Sequence, residues 1–391
     1  MKLCYALLYY DPHLVDPDPR VYLAGIRTAH DFPQALAARG HEVDVVHLYP
    51  FDGDVRKDQV HHHFVAPGAW ARGQGWALAR RRRRDRPGVT PAWRAIRRVR
   101  YLQPDLVHFF GTSLHLNLAL LFLRQSRPAP PVVLHYHGGR PAQTALGRRL
   151  QRYGFNRAAR FFFTAAEQAE RYIEAGLIED GTRRVVELLE TSSRFSPMPR
   201  PVARRQTGMV GDPIFLWAAR LHPLKDPLTA LRGFARIAAA RRGAQLYFHY
   251  LADDLLPELR AWVAEHSDLS GRVHFGGRVP YERMEAIYNS ADFLLQASRR
   301  EHSGCAVLDA MACGVIPVLT EIPSFRAMTG NGAVGVLFPP GDDESLARQV
   351  LDIPSEQIDA KAAAVRSCFT DHMSFPALAR RLEREYEALL A

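Results

Sequence analysis

The stretch EHSGCAVLDAMACG, residues 301–314, holds two carboxylates, Glu301 and Asp309, with a Ser303-Gly304 turn between them. It follows the apolar run ADFLLQASR. Glu301 to Gly304 therefore reads as a strand-to-helix turn at the carboxyl end of a strand. Gly304 lets backbone and ligand approach closely. The free N–H groups of the helix start, at Cys305 and Ala306, make an anion site. Asp309 sits over a turn into the helix, where Asp has poor propensity and needs a partner or exposure. The same residues also read as a buried turn with Glu301 serving as a helix-start acid.

A second strand end carries two cations. LWAARLHPLKDP, residues 216–227, places Arg220 and Lys225 five apart. Arg offers a planar fork and Lys a point charge, and together they can hold a diphosphate. They could equally cap surface carbonyls or pair with acids. Lysine is scarce in this chain: Lys2, Lys57, Lys225 and Lys361 are the four among 51 basic residues. A lysine kept at a strand end is therefore more telling than usual.

Positioning these turns requires an α/β framework. Short apolar or β-branched runs (KLCYALLYY, EVDVVHLY, DLVHFF, VVLHYH, RFFFTA, RVVELL) alternate with helical patterns over the first half. PIFLWAA, QLYFHYL, RVHF, DFLLQA, VIPVL and VGVLF repeat the alternation in the second. Such alternation implies parallel sheets with helices on both faces, so the fold class is α/β with two Rossmann-like domains. The Pro-, Ser- and Arg-rich segment 193–208 marks the boundary. The expected division is 1–199, 200–372 and a tail helix, 373–391, crossing back to the first domain. Open parallel sheets bind ligands beyond the carboxyl ends of their strands, so a cleft between the domains is the expected site.

A chain of 391 residues accommodates two such domains. No apolar run reaches membrane-span length, and the N-terminus reads as a buried strand and not a signal peptide. Cys4, Cys305, Cys313 and Cys368 lack metal-ligand spacing, which fits free thiols in a reducing cytoplasm. The net charge is +10, and residues 1–200 hold 30 Lys and Arg against 18 Asp and Glu. This basic half suits a polyanion, with peripheral contact to an anionic inner-membrane face through Arg80–Arg100 as one reading and a solvated charged face as another. Nucleic acid is the less favoured partner.

In this order and spacing, the two turns resemble the donor half of retaining glycosyltransferases of the GT-B architecture. The resemblance is to the large group 1 family that includes sucrose synthases and bacterial mannosyl- and glucosyltransferases. Arg220 and Lys225 match its R-x4-K; Glu301 and Asp309 match its E-x7-E, with Asp at the second position. LDAMACGVIPVLT and GVLFPPGDDESLA continue the likeness, and ALAARGHEVDVVHL, PDLVHFF and VVLHYHGG extend it more loosely into the first half. The resemblance implies a nucleoside diphosphate sugar as donor, a hydroxyl acceptor, and neither a cofactor nor a required metal. Arg220 and Lys225 would neutralise the leaving diphosphate, and Glu301 would contact sugar hydroxyls. Ser303, Gly304, Cys305 and Ala306 would hold sugar or phosphate oxygens, and Asp309 would bind ribose. His137 would reach the donor sugar from the first domain. Ala24-Gly25 would stand at the family's N-terminal glycine loop, although the double glycine of that loop is absent.

Other motifs are weaker. Asp52-Gly53-Asp54 has the Asp-x-Asp form of a metal site but not its context. His61–His63 lacks helical or zinc-finger spacing and reads as a polar strand or turn. Asp309 is one methylene shorter than the family's Glu, and Tyr250–Glu258 lacks the usual glycine-bearing turn. The competing functions are an epimerase or phosphorylase on the same fold, a metal-dependent transferase, or a catalytically silent binding protein for nucleotide-sugars or polyanions.

Overall fold

The computed structural model describes residues 1–9, 18–25, 27–68, 90–113, 115–123, 129–179 and 183–391. They form two compact units, one of residues 1–191 with 375–391 and one of residues 192–374.

The first unit is built on eight strands: β1 (Lys2–Leu7), β2 (Glu42–Leu48), β3 (Gly53–Lys57), β4 (Val60–Val65), β5 (Leu106–Phe110), β6 (Val132–His135), β7 (Arg160–Phe163) and β8 (Val185–Glu187). Their order is β3-β4-β2-β1-β5-β6-β7-β8, parallel except for β3 against β4. The central strands read as continuous apolar runs because helices cover both faces. Leu3, Val45, Val107, Val133 and Phe161 are buried. Edge strand β3 (GDVRK) carries charge instead, as exposed edges do.

The C-terminal helix Phe375–Leu390 belongs to this unit. Leu378, Leu382 and Tyr386 form its buried stripe. Phe375 meets Phe32 edge-on at 5.6 Å, and Glu383 accepts hydrogen bonds from Arg39 and His41. Inside, the Tyr386 hydroxyl bonds both Tyr5 (3.1 Å) and His108 Nδ1. His108 Nε2 in turn meets His135 Nδ1 at 3.2 Å, and His135 Nε2 donates to the Leu188 carbonyl. Burial keeps both imidazoles neutral, driving His108 far below the usual range and His135 to about 4.

The second unit holds β9 (Ile214–Ala218), β10 (Gln245–His249), β11 (Val273–Gly277), β12 (Phe293–Gln296), β13 (Ile316–Thr320) and β14 (Val336–Phe338). Their order is β11-β10-β9-β12-β13-β14, every pair parallel. The order runs outward in two directions from the β9–β12 neighbours, so the loops after these two strands meet at the switch point.

The boundary falls earlier than the Pro- and Ser-rich composition suggests. Residues 192–199 are part of the second unit, not of the first. Ser192 Oγ donates to Met373 O, Ser193 Oγ to Asp309, and the Ser196 and Met198 amides to Glu285 and Asn289. Side chains and one backbone carbonyl of the second unit thus satisfy this extended segment's polar groups, which is why it docks there.

Candidate active site

The loop after β9 carries Arg220 and a single 3-10 turn, Pro223–Lys225. His222 opens that turn by accepting the Leu224 amide on Nδ1 at 3.2 Å. Asp226 closes it in the left-handed region (φ 51°) and caps the helix Pro227–Ala240 through Thr229 N. This sharp reversal, held further by Arg299 on Asp226 Oδ2 at 2.9 Å, fixes where Lys225 points.

The loop after β12 carries Glu301. Lys225 Nζ bonds Glu301 Oε1 directly, and both side chains are mostly covered. Ser298 Oγ donates to the same oxygen at 2.8 Å. Ser298 is itself anchored, since Thr320 Oγ1 donates to its carbonyl at 2.5 Å. Arg299 N also bonds Leu224 O at 2.9 Å, so backbone joins the two loops as well. Residues 76 apart in sequence thus form one cation–carboxylate pair at adjacent strand ends.

Gly304 opens the helix Cys305–Cys313 with φ 69°. A Cβ there would stand 2.8 Å from Phe325 Cε1, so both backbone and space demand glycine. Cys305 is exposed and Ala306 partly so, while Ser303 is buried. The helix start therefore opens to solvent beside the Lys225–Glu301 pair.

The remaining candidates divide. Arg220 is exposed and makes no ion pair among the described residues. Asp309 is buried in the helix interior, 4% exposed, and accepts Ser193 Oγ on Oδ1 at 2.5 Å. That serine is the partner which lets Asp stand mid-helix. Nothing in the spacing E-x7-D pointed to Ser193, because it lies 116 residues away.

His137 belongs to the first unit, just past β6 and before Gly138 and Gly139, whose φ values are 87° and 113°. About half its side chain is exposed, and Nδ1 lies 2.5 Å from Glu190 Oε2. Burial opposes charge on His137, but the Glu190 carboxylate, by charge and hydrogen bond, outweighs it and raises the pKa. His135, on the same face by strand alternation, is fully buried in the hydrogen-bonded row described above. Glu190, absent from the sequence-derived set, carried no motif that would single it out.

Ala24 and Gly25 differ from expectation. They end a helix, Pro19–Gly25, and not a glycine loop. Alanine in place of the first glycine removes the conformational freedom such a loop needs. The acids of Asp52-Gly53-Asp54 point to separate partners: Asp52 to Arg94 and the Ala66 amide, Asp54 to His63 and Arg98. Arg80–Arg84 lie outside the described residues. Of the basic positions after them, Arg94 and Arg98 pair with these acids and Arg100 donates to the Leu120 and Leu121 carbonyls. Among the described residues no helix is long and apolar enough to cross a membrane.

Two α/β units of this kind define the GT-B architecture, and known structures share the fold. The chain's fold matches the sucrose-phosphate synthase of Thermosynechococcus elongatus with a TM-score of 0.69 at 18% identity, over 99% of this chain and 98% of that one. Residues 200–366 match the model for glycosyl transferases group 1, and residues 26–186 that for glycosyltransferase family 4. The chain belongs to the group 1 glycosyltransferases. It is similar to a D-inositol 3-phosphate glycosyltransferase of Thermobispora bispora, 27% identical over 50% of this chain and 48% of that protein. It is also similar to a 2-deoxystreptamine N-acetyl-D-glucosaminyltransferase of Streptomyces fradiae, 25% identical over 64% and 62%. The chain spans about half the length of the first of these curated relatives.

Proposed function

We propose that the chain transfers a hexose from a nucleoside diphosphate sugar to a hydroxyl acceptor, with retention at the anomeric carbon and without a metal in the transfer step. The Lys225–Glu301 pair beside an open, glycine-initiated helix carries this reading. Lys225 has three N–H donors, and Glu301 and the solvent side can share them. Its charge, with that of Arg220, stabilises the negative charge growing on the departing diphosphate. The Cys305 and Ala306 amides at the positive helix end act in the same direction. Glu301, with Oε1 held by Lys225 and Ser298, presents its carboxylate to the sugar hydroxyls. Asp309, buried against Ser193, reaches a ribose only through a shift of that contact or a bridging water. For His137 the proposed role is the one the family resemblance implies, contact with the donor sugar.

The test is transfer itself. Purified protein is incubated with UDP-, GDP- and ADP-hexoses and an acceptor panel that includes D-inositol 3-phosphate, 2-deoxystreptamine and polyprenyl-diphosphate glycans. Acceptor-dependent release of a nucleoside diphosphate is expected, and Lys225→Ala lowers it by about 10²–10³-fold. An α-configured donor gives an α-linked product, whereas a β-linked product contradicts retention. Conversion of the donor without acceptor indicates the epimerase reading, and binding without turnover the silent one.

A further inference from the structure

The sheet edge of the first unit holds a cluster that sugar transfer does not use. Asp44 on β2 pairs in register with His61 on β4, and Asp54 on β3 pairs with His63. Alternation along β4 sends His61 and His63 to one face and His62 to the other. On the first face, Asp44 Oδ1 lies 2.8 Å from His63 Nε2 and 3.7 Å from His61 Nδ1. One ligand atom from each of the three lies within 4.8 Å of the others. Asp44 and His63 are buried, and a third of the His61 side chain is exposed.

We propose that Asp44, His61 and His63 form a binding site for a divalent first-row transition ion, Zn²⁺ being the chemical type. Three observations support it. First, two imidazoles and one carboxylate are the borderline N/O donor set that such ions prefer. Second, bonds of about 2.0–2.1 Å place tetrahedral ligands about 3.3 Å apart, and the separations of 2.8 and 3.7 Å bracket that edge. Third, His63 Nδ1 lies 2.5 Å from Asp54 Oδ1, the outer carboxylate that fixes a metal-ligating imidazole's tautomer and orientation. With Nδ1–H given to Asp54, His63 Nε2 turns a lone pair toward the Asp44 carboxylate. Two acceptors facing each other at 2.8 Å need a cation between them, a proton or a metal. His61 adds another nitrogen to the same point, and its ring lies 4.0 Å from that of His63. The guanidinium of Arg98 lies on the opposite oxygen of Asp54, Oδ2, at 3.7 Å, and leaves Oδ1 to the histidines.

An ion here ties β2 to β4, the strand through which the charged edge strand β3 joins the sheet. Metal ligation takes neutral imidazoles and an ionised carboxylate, so binding here is expected to strengthen as pH rises. Spacing alone could not reveal the site, because the carboxylate comes from the neighbouring strand.

The test titrates metal-free full-length protein with Co²⁺ and follows visible d–d absorption. One equivalent of Co²⁺ is expected, displaced by Zn²⁺ and not by excess Mg²⁺. His61→Asn, whose side chain is partly exposed, keeps the circular-dichroism spectrum and loses the absorption. His30→Gln, in the separate His30–His62–His47 row on the other face, keeps the absorption. Zn²⁺ raises the melting temperature of the wild type and leaves that of His61→Asn unmoved. Four results would overturn the site: no stoichiometric Co²⁺, displacement by Mg²⁺, unchanged binding in His61→Asn, or loss of binding in His30→Gln.

Discussion

Half of the His137 side chain is open to solvent, and Nδ1 rests on buried Glu190. The carboxylate raises the imidazole pKa against the effect of burial. Its stabilising contribution is therefore complete below the ordinary value of about 6.5 and is lost as pH rises through the raised folded value. Titrating the ring by NMR should give a pKa above that ordinary value in the wild type and a lower one in Glu190→Gln. An unchanged pKa in the variant would show that Glu190 does not set it. By strand alternation His135 and His137 share one face. Burial separates them: His135 spends both ring nitrogens inside the fold. Lys225 was legible through its rarity, but its partner was not, because spacing carries no record of which loops meet.

At the scale of elements, the helix Cys305–Cys313 depends on how it begins. Gly304 holds a left-handed backbone against Phe325. Gly304→Ala costs about 1–2 kcal/mol for the backbone alone, before the ring is displaced. The variant should melt lower and bind donor more weakly than the wild type; equal melting and equal affinity would contradict a required left-handed start. This turn was readable because a Ser-Gly pair separates a strand pattern from a helix pattern. The β3–β4 hairpin was not read as a unit. Its two-residue turn, Asp58-Gln59, has φ of 48° and 67° at positions where Asn-Gly is the usual signal. An edge strand as polar as GDVRK also lacks the apolar alternation that marks a half-buried strand. The glycine loop expected at Ala24-Gly25 failed for the converse reason: with one glycine missing, helix is the cheaper local state.

Across the whole molecule, the parallel core strands were legible because strands buried on both faces read as unbroken apolar runs. The unit boundary was less so, since composition marks a linker but not the side chains that capture it. The buried histidines set a further property. His108 and His135 are held neutral inside the first unit, His135 down to about 4. Below about pH 6.5 the unfolded chain takes up protons there that the folded chain refuses, so stability falls as pH drops toward 4. Melting temperature should therefore decrease between pH 7 and pH 5, whereas a flat or rising profile would contradict neutral burial. The central claim is that the paired strand ends of the second unit hold a nucleoside diphosphate sugar. Thermal shift with UDP-, GDP- and ADP-sugars tests it most directly, because ligand at about a hundred times Kd adds about 2.7 kcal/mol. One nucleotide class should raise the wild-type melting temperature by several degrees and leave a folded Lys225→Ala variant unshifted. No shift with any of the three, or the same shift in Lys225→Ala, would contradict it.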